Sequence, residues 1–246
     1  MEVNKKIVLD ISRVVDYVKD RGFFAGFKRY SVENYDLEHA LEVVEAIGKA
    51  RTPHFVIDEE NRFAYENFIK WCHCDRTMKS IDPLTGNIIQ GDLMRGIYIA
   101  GNTGSGKSWC LEIMLAYATV WNFKISFYED RGTARNFFWK NDRADEVCQA
   151  YMEKGDIQSF KKMPIIGIQD LGQEPQETLY MGNRLNVMQQ LLEYRGDKPD
   201  ALTLITSNLR ISSEILQARY GDRVQSRLFE MCNYFEMKGK DRRLGI

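Results

Sequence analysis

The sequence predicts an α/β protein in which helices flank a parallel sheet, and two observations support this fold class. First, short apolar segments alternate with stretches of helical periodicity from Arg95 onward, an order typical of a parallel sheet covered on both faces. Second, residues 101–108 read GNTGSGKS directly after an apolar segment, as the strand, loop and helix order of a phosphate-binding loop requires. With 246 residues, of which 44% are hydrophobic, the chain is large enough for a packed core.

A small helical N-terminal module is expected over residues 1–50. Apolar residues at helical spacing predict one amphipathic helix within the first 20 residues and a second over residues 37–49, with Asp36 as its N-cap. Between these helices lies the aromatic and basic segment FFAGFKRY, residues 23–30. This segment is either the packing seam of the module or an exposed partner-binding surface.

The second domain is expected over residues 51–246 and begins with a third helix, for which Asp58 is the predicted N-cap. This helix carries Cys72, His73 and Cys74, three residue types that bind metals. Adjacent side chains on a helix point in different directions, and no second Cys or His pair follows at zinc spacing. A partly buried helix is therefore preferred over a metal site.

The remaining elements of the second domain follow from apolar runs and helical periodicity. The predicted strands are residues 96–100, 123–128, 164–169, 202–206 and 233–237. The predicted helices are residues 107–120, 144–153, 185–194 and 222–232.

The glycine-rich loop predicts a site for ATP and Mg²⁺. Its glycines allow a tight turn in which several backbone N–H groups converge on the β-phosphate. Lys107 is expected to reach the β- and γ-phosphates, and the Ser108 hydroxyl to ligate Mg²⁺. The expected phosphate-binding residues are Gly101, Asn102, Thr103, Gly104, Ser105, Gly106, Lys107 and Ser108.

Two further polar residues follow apolar strands and are expected beside this loop, because ligands bind beyond the carboxyl ends of parallel strands. Asp170 ends the predicted strand 164–169 and would face Ser108 and the metal. Asn208 follows the strand 202–206 and would orient the attacking water beside the γ-phosphate.

Over residues 90–243 the chain resembles the AAA+ helicase loaders of the DnaC and DnaI type and the related IstB transposition ATPases. The resemblance rests on four segments in order: GDLMRGIYIAGNTGSGKS (91–108), IQDLGQE (168–174), Tyr194-Arg195 ahead of LITSNL (204–209), and YGDRVQSRL (220–228). It implies that the second domain is an AAA+ P-loop ATPase and that Asn208 is sensor 1. It also implies that Arg227 is an arginine finger offered to a neighbouring subunit, and that Arg242 or Arg243 is sensor 2.

The chain departs from this family at Gln169-Asp170, where the family has two acidic residues before Leu-Gly. If Leu171-Gly172 sets the register, a neutral Gln169 takes the metal-side position and Asp170 the water-activating one. Hydrolysis is then expected to be slow, because an amide supplies no negative charge to the metal. Alternatively the strand slips locally, Asp170 takes the metal role and Glu174 lies nearer the water.

The resemblance implies a protein of DNA replication that loads a replicative helicase onto DNA, with residues 1–50 contacting the helicase. The alternatives are an IstB-type helper that recruits a transposase, a nucleotide-gated adaptor with negligible turnover, and a small-molecule P-loop kinase. An ATP-dependent homo-oligomer and contact with single-stranded DNA are also expected. The best local match to a basic and aromatic DNA surface is Arg131, Arg135, Phe137, Phe138, Trp139 and Lys140, although such an aromatic triplet is also typical of a core.

Composition limits the other possibilities. The 34 Lys and Arg residues balance 35 Asp and Glu residues, for a formal charge of −1, so any nucleic-acid contact must come from a local patch. No apolar stretch approaches the length of about 18 residues that predicts a membrane span, and the 5 cysteines have no disulfide-like spacing. A soluble cytoplasmic protein is therefore expected.

Overall fold

A computed structural model of the protein describes residues 10–20, 26–127, 132–239 and 241–242. The helices are α1 (Ile11–Asp20), α2 (Leu37–Arg51), α3 (Arg62–His73), α4 (Lys107–Trp121), α5 (Ala144–Lys154), α6 (Gln158–Lys162), α7 (Val187–Gly196) and α8 (Glu214–Met231). The strands are β1 (Phe27–Arg29), β2 (Lys79–Ile81), β3 (Ile88–Gln90), β4 (Gly96–Gly101), β5 (Lys124–Phe127), β6 (Arg135–Asn136), β7 (Lys140–Arg143), β8 (Ile165–Leu171), β9 (Thr178–Tyr180), β10 (Asn183–Leu185), β11 (Leu202–Ser207) and β12 (Cys232–Met237). None of the helices in these ranges is long and apolar enough to cross a membrane.

The central sheet has five parallel strands in the order β12-β4-β11-β8-β7. Strand β11 lies between β4, which leads into the glycine-rich loop, and β8, which carries Asp170. Because the carboxyl ends of parallel strands share one edge of a sheet, the loop, Asp170 and Asn208 meet at that edge. A parallel sheet flanked by helices, with this loop after β4, confirms the predicted fold class.

Helices cover both faces of the sheet, because its inner strands are apolar on both sides. In β4, Ile97 and Ile99 belong to the hydrophobic cluster that α2, α3 and α4 complete. Tyr98 and Ala100 alternate with them and belong to a second cluster, completed by α5, α7 and α8.

One predicted strand lies outside the central sheet. Strand β5, predicted as residues 123–128, pairs instead with β1 and β6 in a small antiparallel sheet. One of the two edge strands of the central sheet is β7, whose sequence Lys-Asn-Asp-Arg carries no apolar signal. An edge strand is exposed along one side and tolerates charges, so hydrophobicity alone does not reveal β7.

Helix α2 is capped as predicted, since the Asp36 side chain accepts a hydrogen bond of 2.7 Å from the His39 backbone N–H. Its buried residues Ala40 and Val44 share a hydrophobic cluster with Ile97 of the central sheet. Helix α2 therefore packs directly on the α/β core, and the domain boundary near residue 50 stays a prediction.

The aromatic and basic segment lies partly within the described residues, and residues 23–25 fall outside them. Phe27 packs against the same cluster as α2. The Arg29 guanidinium lies 4.1 Å from the centre of the Trp71 ring and donates to the Trp71 carbonyl. These contacts favour the packing seam over an exposed partner-binding surface for this part of the segment.

Helix α3 begins later than predicted, because Asn61 and not Asp58 is its N-cap. At its other end His73 forms a 2.7 Å hydrogen bond with the Tyr117 hydroxyl of α4 and stacks on Tyr35. Cys72 is 1% exposed. The prediction of a partly buried helix is thus confirmed for Cys72 and His73, whereas Cys74 is the C-cap beyond the helix, with a φ angle of +58°.

Candidate nucleotide-binding site

The glycine-rich loop connects β4 to the first turn of α4, and its shape requires glycine at two positions. Gly104 and Gly106 have φ angles of +80° and +92°, in the left-handed region that other residues avoid. A Cβ atom on Gly104 would also lie 2.2 Å from the Cγ atom of Asp241. The sequence pattern of the loop thus follows from its backbone conformation and its close packing.

Lys107 and Asn208 meet inside this loop. The Lys107 ammonium donates to the carbonyl oxygens of Gly101 and Asn102, at 2.8 and 2.7 Å, and to Oδ1 of Asn208 at 2.9 Å. The amide nitrogen of Asn208 lies 3.3 Å from the Thr103 hydroxyl. The two residues are 101 positions apart in the chain, so the strand order of the sheet is what joins them.

Asp170 sits in a bulge at the end of β8. Ile168 pairs with Ile205 and Leu171 with Ser207, so β8 contains one residue more than β11 over this interval. Asp170 itself has a φ angle of +58°, in the left-handed region that Asp tolerates better than most residues. The bulge turns its carboxylate toward the loop, where Oδ1 accepts a hydrogen bond of 3.3 Å from the Ser108 hydroxyl.

The Gln169 side chain does not point toward the Ser108 hydroxyl, as Asp170 does. Its amide nitrogen lies 3.4 Å from the Ser108 carbonyl oxygen and 3.5 Å from a carboxylate oxygen of Glu112. Of the two registers left open by the sequence, these distances favour the local slip, in which Asp170 is the carboxylate nearest Ser108.

The slipped register also predicts that Glu174 lies near the attacking water, but the structure places Glu174 away from the cavity. Its side chain is fully buried and accepts hydrogen bonds from the Tyr220 hydroxyl and the Gly172 backbone N–H. It also forms an ion pair with Arg219. Glu174 therefore ties the segment after β8 to α8, and that part of the alternative is wrong.

These residues surround a cavity of about 320 Å³. Its lining consists of Thr103, Gly104, Gly106, Lys107, Ser108, Trp109, Arg143, Asp170, Gln173 and Asn208. Among the described residues that line it, Asp170 is the one carboxylate, and Lys107 and Arg143 are the two cations. This combination suits an anionic ligand that carries a divalent cation.

Arg143 and Gln173 also line the cavity, and no sequence motif predicts either of them there. Arg143 ends β7, and its Nη1 lies 3.2 Å from Oδ2 of Asp170. The hydrogen bond from Arg143 to Asp145 raises the pKa of the guanidinium, which keeps it charged. The signal that could have revealed Arg143 is the Glu146 three residues later, whose side chain accepts from the Arg143 backbone N–H and marks a helix start.

Arg227 lies outside the cavity lining. Its guanidinium forms ion pairs with Asp197 and Glu230 of its own chain. Its role as an arginine finger stays a prediction.

Arg242 touches the loop through its backbone, whose N–H donates to the Gly104 carbonyl oxygen at 2.9 Å. Its guanidinium turns away to Asp58, at 2.7 Å. Burial alone would raise the pKa of the Asp58 carboxyl, but the bond and charge of Arg242 outweigh it and lower that pKa. Arg243 lies outside the described residues, so the sensor 2 role stays a prediction for both arginines.

Of the Tyr194-Arg195 pair, Arg195 has a structural role. This buried guanidinium donates to the Leu202 and Met163 carbonyl oxygens, both at 2.7 Å, and to the Thr203 hydroxyl at 2.9 Å. Burial lowers the pKa of Arg195 to about 10. Arg195 thus joins α7 to the starts of β8 and β11 and does not enter the cavity.

The predicted DNA surface is partly core. Phe137 and Trp139 are 2% and 0% exposed and pack on the rings of Trp71 and Phe68, so neither can stack on a base. Phe138 is 56% exposed. Arg135 and Lys140 are also exposed, and Arg131 lies outside the described residues.

No family model matches the chain, and no curated protein matches it with significance. Several solved structures are similar to it. A candidate primosome component from Streptococcus pyogenes serotype M3 has 18% identity and a TM-score of 0.48, over 75% of this chain and 83% of that one. The DnaC helicase loader has 16% identity and a TM-score of 0.47, over 76% and 95%.

The third structure is the replication initiator DnaA bound to AMPPCP and single-stranded DNA, with 18% identity and a TM-score of 0.45 over 87% of this chain. The chain spans 52% of the length of that protein. The similar structures thus include a helicase loader, the class of protein that the sequence resembles. At these TM-scores they identify no activity for this chain.

Proposed function

We propose that the protein is an ATP-binding AAA+ protein of DNA replication that loads a replicative helicase onto DNA, with slow ATP hydrolysis as its switch. The observation that carries the nucleotide part is the convergence of Lys107, Ser108, Asn208 and Asp170 on one cavity. The helicase part rests on the sequence resemblance and on the exposed apolar face of α1.

The cavity residues fit ATP and Mg²⁺. Backbone N–H groups at the start of α4 face the loop and favour a phosphate, and Lys107 adds a positive charge. Ser108 and Asp170, whose oxygens are 3.3 Å apart, supply the hard oxygen ligands that Mg²⁺ prefers. Bound Mg²⁺ would neutralise charge on the β- and γ-phosphates. On binding, Lys107 exchanges its contacts with loop carbonyls for phosphate oxygens.

Slow hydrolysis follows from the carboxylates. Among the described residues that line the cavity, Asp170 is the one acidic side chain, and in the metal role it leaves no second carboxylate among them to polarise water. Asn208 can orient a water molecule but is a poor base. We expect turnover on the order of 1 per minute or slower, against roughly 10 per second for a typical enzyme.

Lys107→Ala tests the nucleotide site. We expect the folded variant to lose measurable ATP affinity in a fluorescent-nucleotide titration, because the charge that meets the phosphates is gone. Lys154→Ala, on the exposed end of α5, is the matched control and should bind as the wild type does. Unchanged affinity in folded Lys107→Ala would refute the proposed site.

The helicase-contacting part is proposed to lie within residues 1–50. Ile11, Val14 and Val15, which share one face of α1, are 79%, 39% and 43% exposed, and an exposed apolar helix face is typical of a protein interface. Since α2 packs in the core, truncation at residue 50 would disturb the fold. The sharper experiment is therefore capture of the replicative helicase from the same genome by the full chain and by an Ile11→Ser/Val14→Ser/Val15→Ser variant.

We expect the triple variant to lose the helicase and an Arg13→Ala control on the same helix to retain it. Capture of a transposase in place of the helicase would favour the transposition helper. Capture that depends on ATP without any measurable hydrolysis would favour the nucleotide-gated adaptor. Single-stranded DNA and an ATP-dependent homo-oligomer remain part of the proposal, with Arg135, Phe138 and Lys140 as the exposed DNA candidates.

A further inference from the structure

Arg143 stands on the wall of the cavity opposite the glycine-rich loop. It is the last residue of β7, which pairs with β8 so that Arg143 lies beside Gln169. It also directly precedes α5, and its backbone N–H is fixed by the Glu146 carboxylate at 2.9 Å. Its backbone is therefore held at the same edge of the sheet as Asp170.

The Arg143 guanidinium lines the cavity and has N–H groups that are not used by its two contacts with carboxylates. Its Nε donates to Asp145 at 3.0 Å, and its Nη1 lies 3.2 Å from Oδ2 of Asp170. Within the part of the chain that the structure describes, its Nη2 makes no hydrogen bond. The side chain is 49% exposed. A planar guanidinium with free N–H groups is well suited to phosphate oxygens.

Among the described residues that line the cavity, Lys107 and Arg143 are the two cations, and the charge of Asp170 offsets one of them. Of the arginines that the family resemblance assigns to phosphate contact, the two that the structure describes pair with other residues, Arg227 with Asp197 and Arg242 with Asp58. ATP bears one more negative charge than ADP, so a cation beside the terminal phosphate favours ATP over ADP.

We propose that Arg143 binds the terminal phosphate of ATP within its own chain and thereby makes the site prefer ATP to ADP. This inference rests on the proposed nucleotide site. Asp170 has one oxygen toward Ser108 and the other toward Arg143, so the carboxylate also holds the guanidinium beside the place where the metal and the terminal phosphate meet.

Competition titrations with ATP and with ADP test the proposal on Arg143→Ala, Arg143→Lys and the wild type. We expect Arg143→Ala to lose about 10-fold in ATP affinity, the scale of one hydrogen bond to a charged group, and less than about 3-fold in ADP affinity. Arg143→Lys should keep part of the preference for ATP over ADP, because lysine retains the positive charge but lacks the planar, forked donors of a guanidinium. Arg184→Ala, in the exposed ion pair with Glu177, is the control and should match the wild type.

The outcomes separate the two proposals. A wild-type protein that binds neither nucleotide would refute the proposed function and this inference with it. A wild type that binds ATP, with equal losses for ATP and ADP in Arg143→Ala, would refute the inference alone. A gain in ATP affinity in Arg143→Ala would refute it too, because Arg143 would then compete with the metal for Asp170. Helix α5 keeps its Glu146 cap in every variant, and circular dichroism checks the fold.

Discussion

Asp170 combines a strained backbone with a functional side chain. Its φ angle of +58° is one that Asp and Asn tolerate better than other residues. Asp170→Asn should therefore keep the bulge and the fold while removing the carboxylate. We expect ATP to bind without its Mg²⁺ dependence and hydrolysis to fall below detection.

Comparing Asp170→Asn with Asp170→Ala shows how much the side chain at position 170 stabilises the backbone conformation of the bulge. Alanine lacks the short polar side chain that helps this conformation, so thermal or urea unfolding should show a further loss of about 1 kcal/mol relative to Asp170→Asn. Equal stability of the two variants would contradict the interpretation of the bulge.

Gln169→Asp distinguishes the two registers of β8. Because the Gln169 amide faces the Ser108 carbonyl and Glu112, an aspartate there would add like charge beside Glu112 and would not reach the metal. We expect less than about a twofold change in steady-state ATP turnover. A clear rise would indicate that residue 169 takes the metal-side position after all.

At the level of elements, a buried histidine joins α3 to α4. Burial lowers the pKa of His73, so below about pH 6.5 the unfolded chain binds more protons than the folded one. The free energy of unfolding should therefore fall with acid below that pH, by at most about 1.4 kcal/mol per pH unit from this group. Urea titrations across pH 5–7 check this. His73→Gln should reduce the slope, whereas the exposed His54→Gln should leave it as in the wild type.

The elements also show what the sequence can reveal. Strands β4, β8, β11 and β12 are buried on both faces and read as apolar runs, so periodicity finds them. Strand β7 is not found in this way, because its four residues, Lys140 to Arg143, are all polar or charged and give no apolar run. The apolar β5 was assigned to the wrong sheet, since hydrophobicity predicts a strand and says nothing of its partners.

The residues of the candidate site also divide into those that the local sequence pattern predicts and those that it does not. The glycine-rich loop, Asp170 and Asn208 were predictable, because local pattern marks each of them and the parallel sheet joins them. Arg143 was not, because its role depends on β7 lying next to β8. The direction of Gln169 depends on a single extra residue in β8, which no pattern in the sequence marks.

At the level of the whole molecule, Arg227 tests the proposed oligomer. It lies outside the cavity of its own chain, so its expected target is the nucleotide of a neighbouring subunit. ATP binding would have to repay the loss of its ion pairs with Asp197 and Glu230. Mixtures of Arg227→Ala and Lys107→Ala should then regain some ATPase activity. Activity no greater than the sum of the separate variants would contradict a finger that acts between subunits.

The close approach of residues 241 and 242 to the glycine-rich loop links two distant ends of the fold. The Arg242 backbone holds Gly104, while its side chain holds Asp58 ahead of α3. A ligand that orders the loop would therefore also hold Arg242 in place, and the reverse holds by thermodynamic reciprocity. Hydrogen exchange of the Arg242 backbone amide should be slower with bound nucleotide, and Asp58→Asn should weaken that protection. The segment around Arg242 would then report occupancy of the site to whatever binds it.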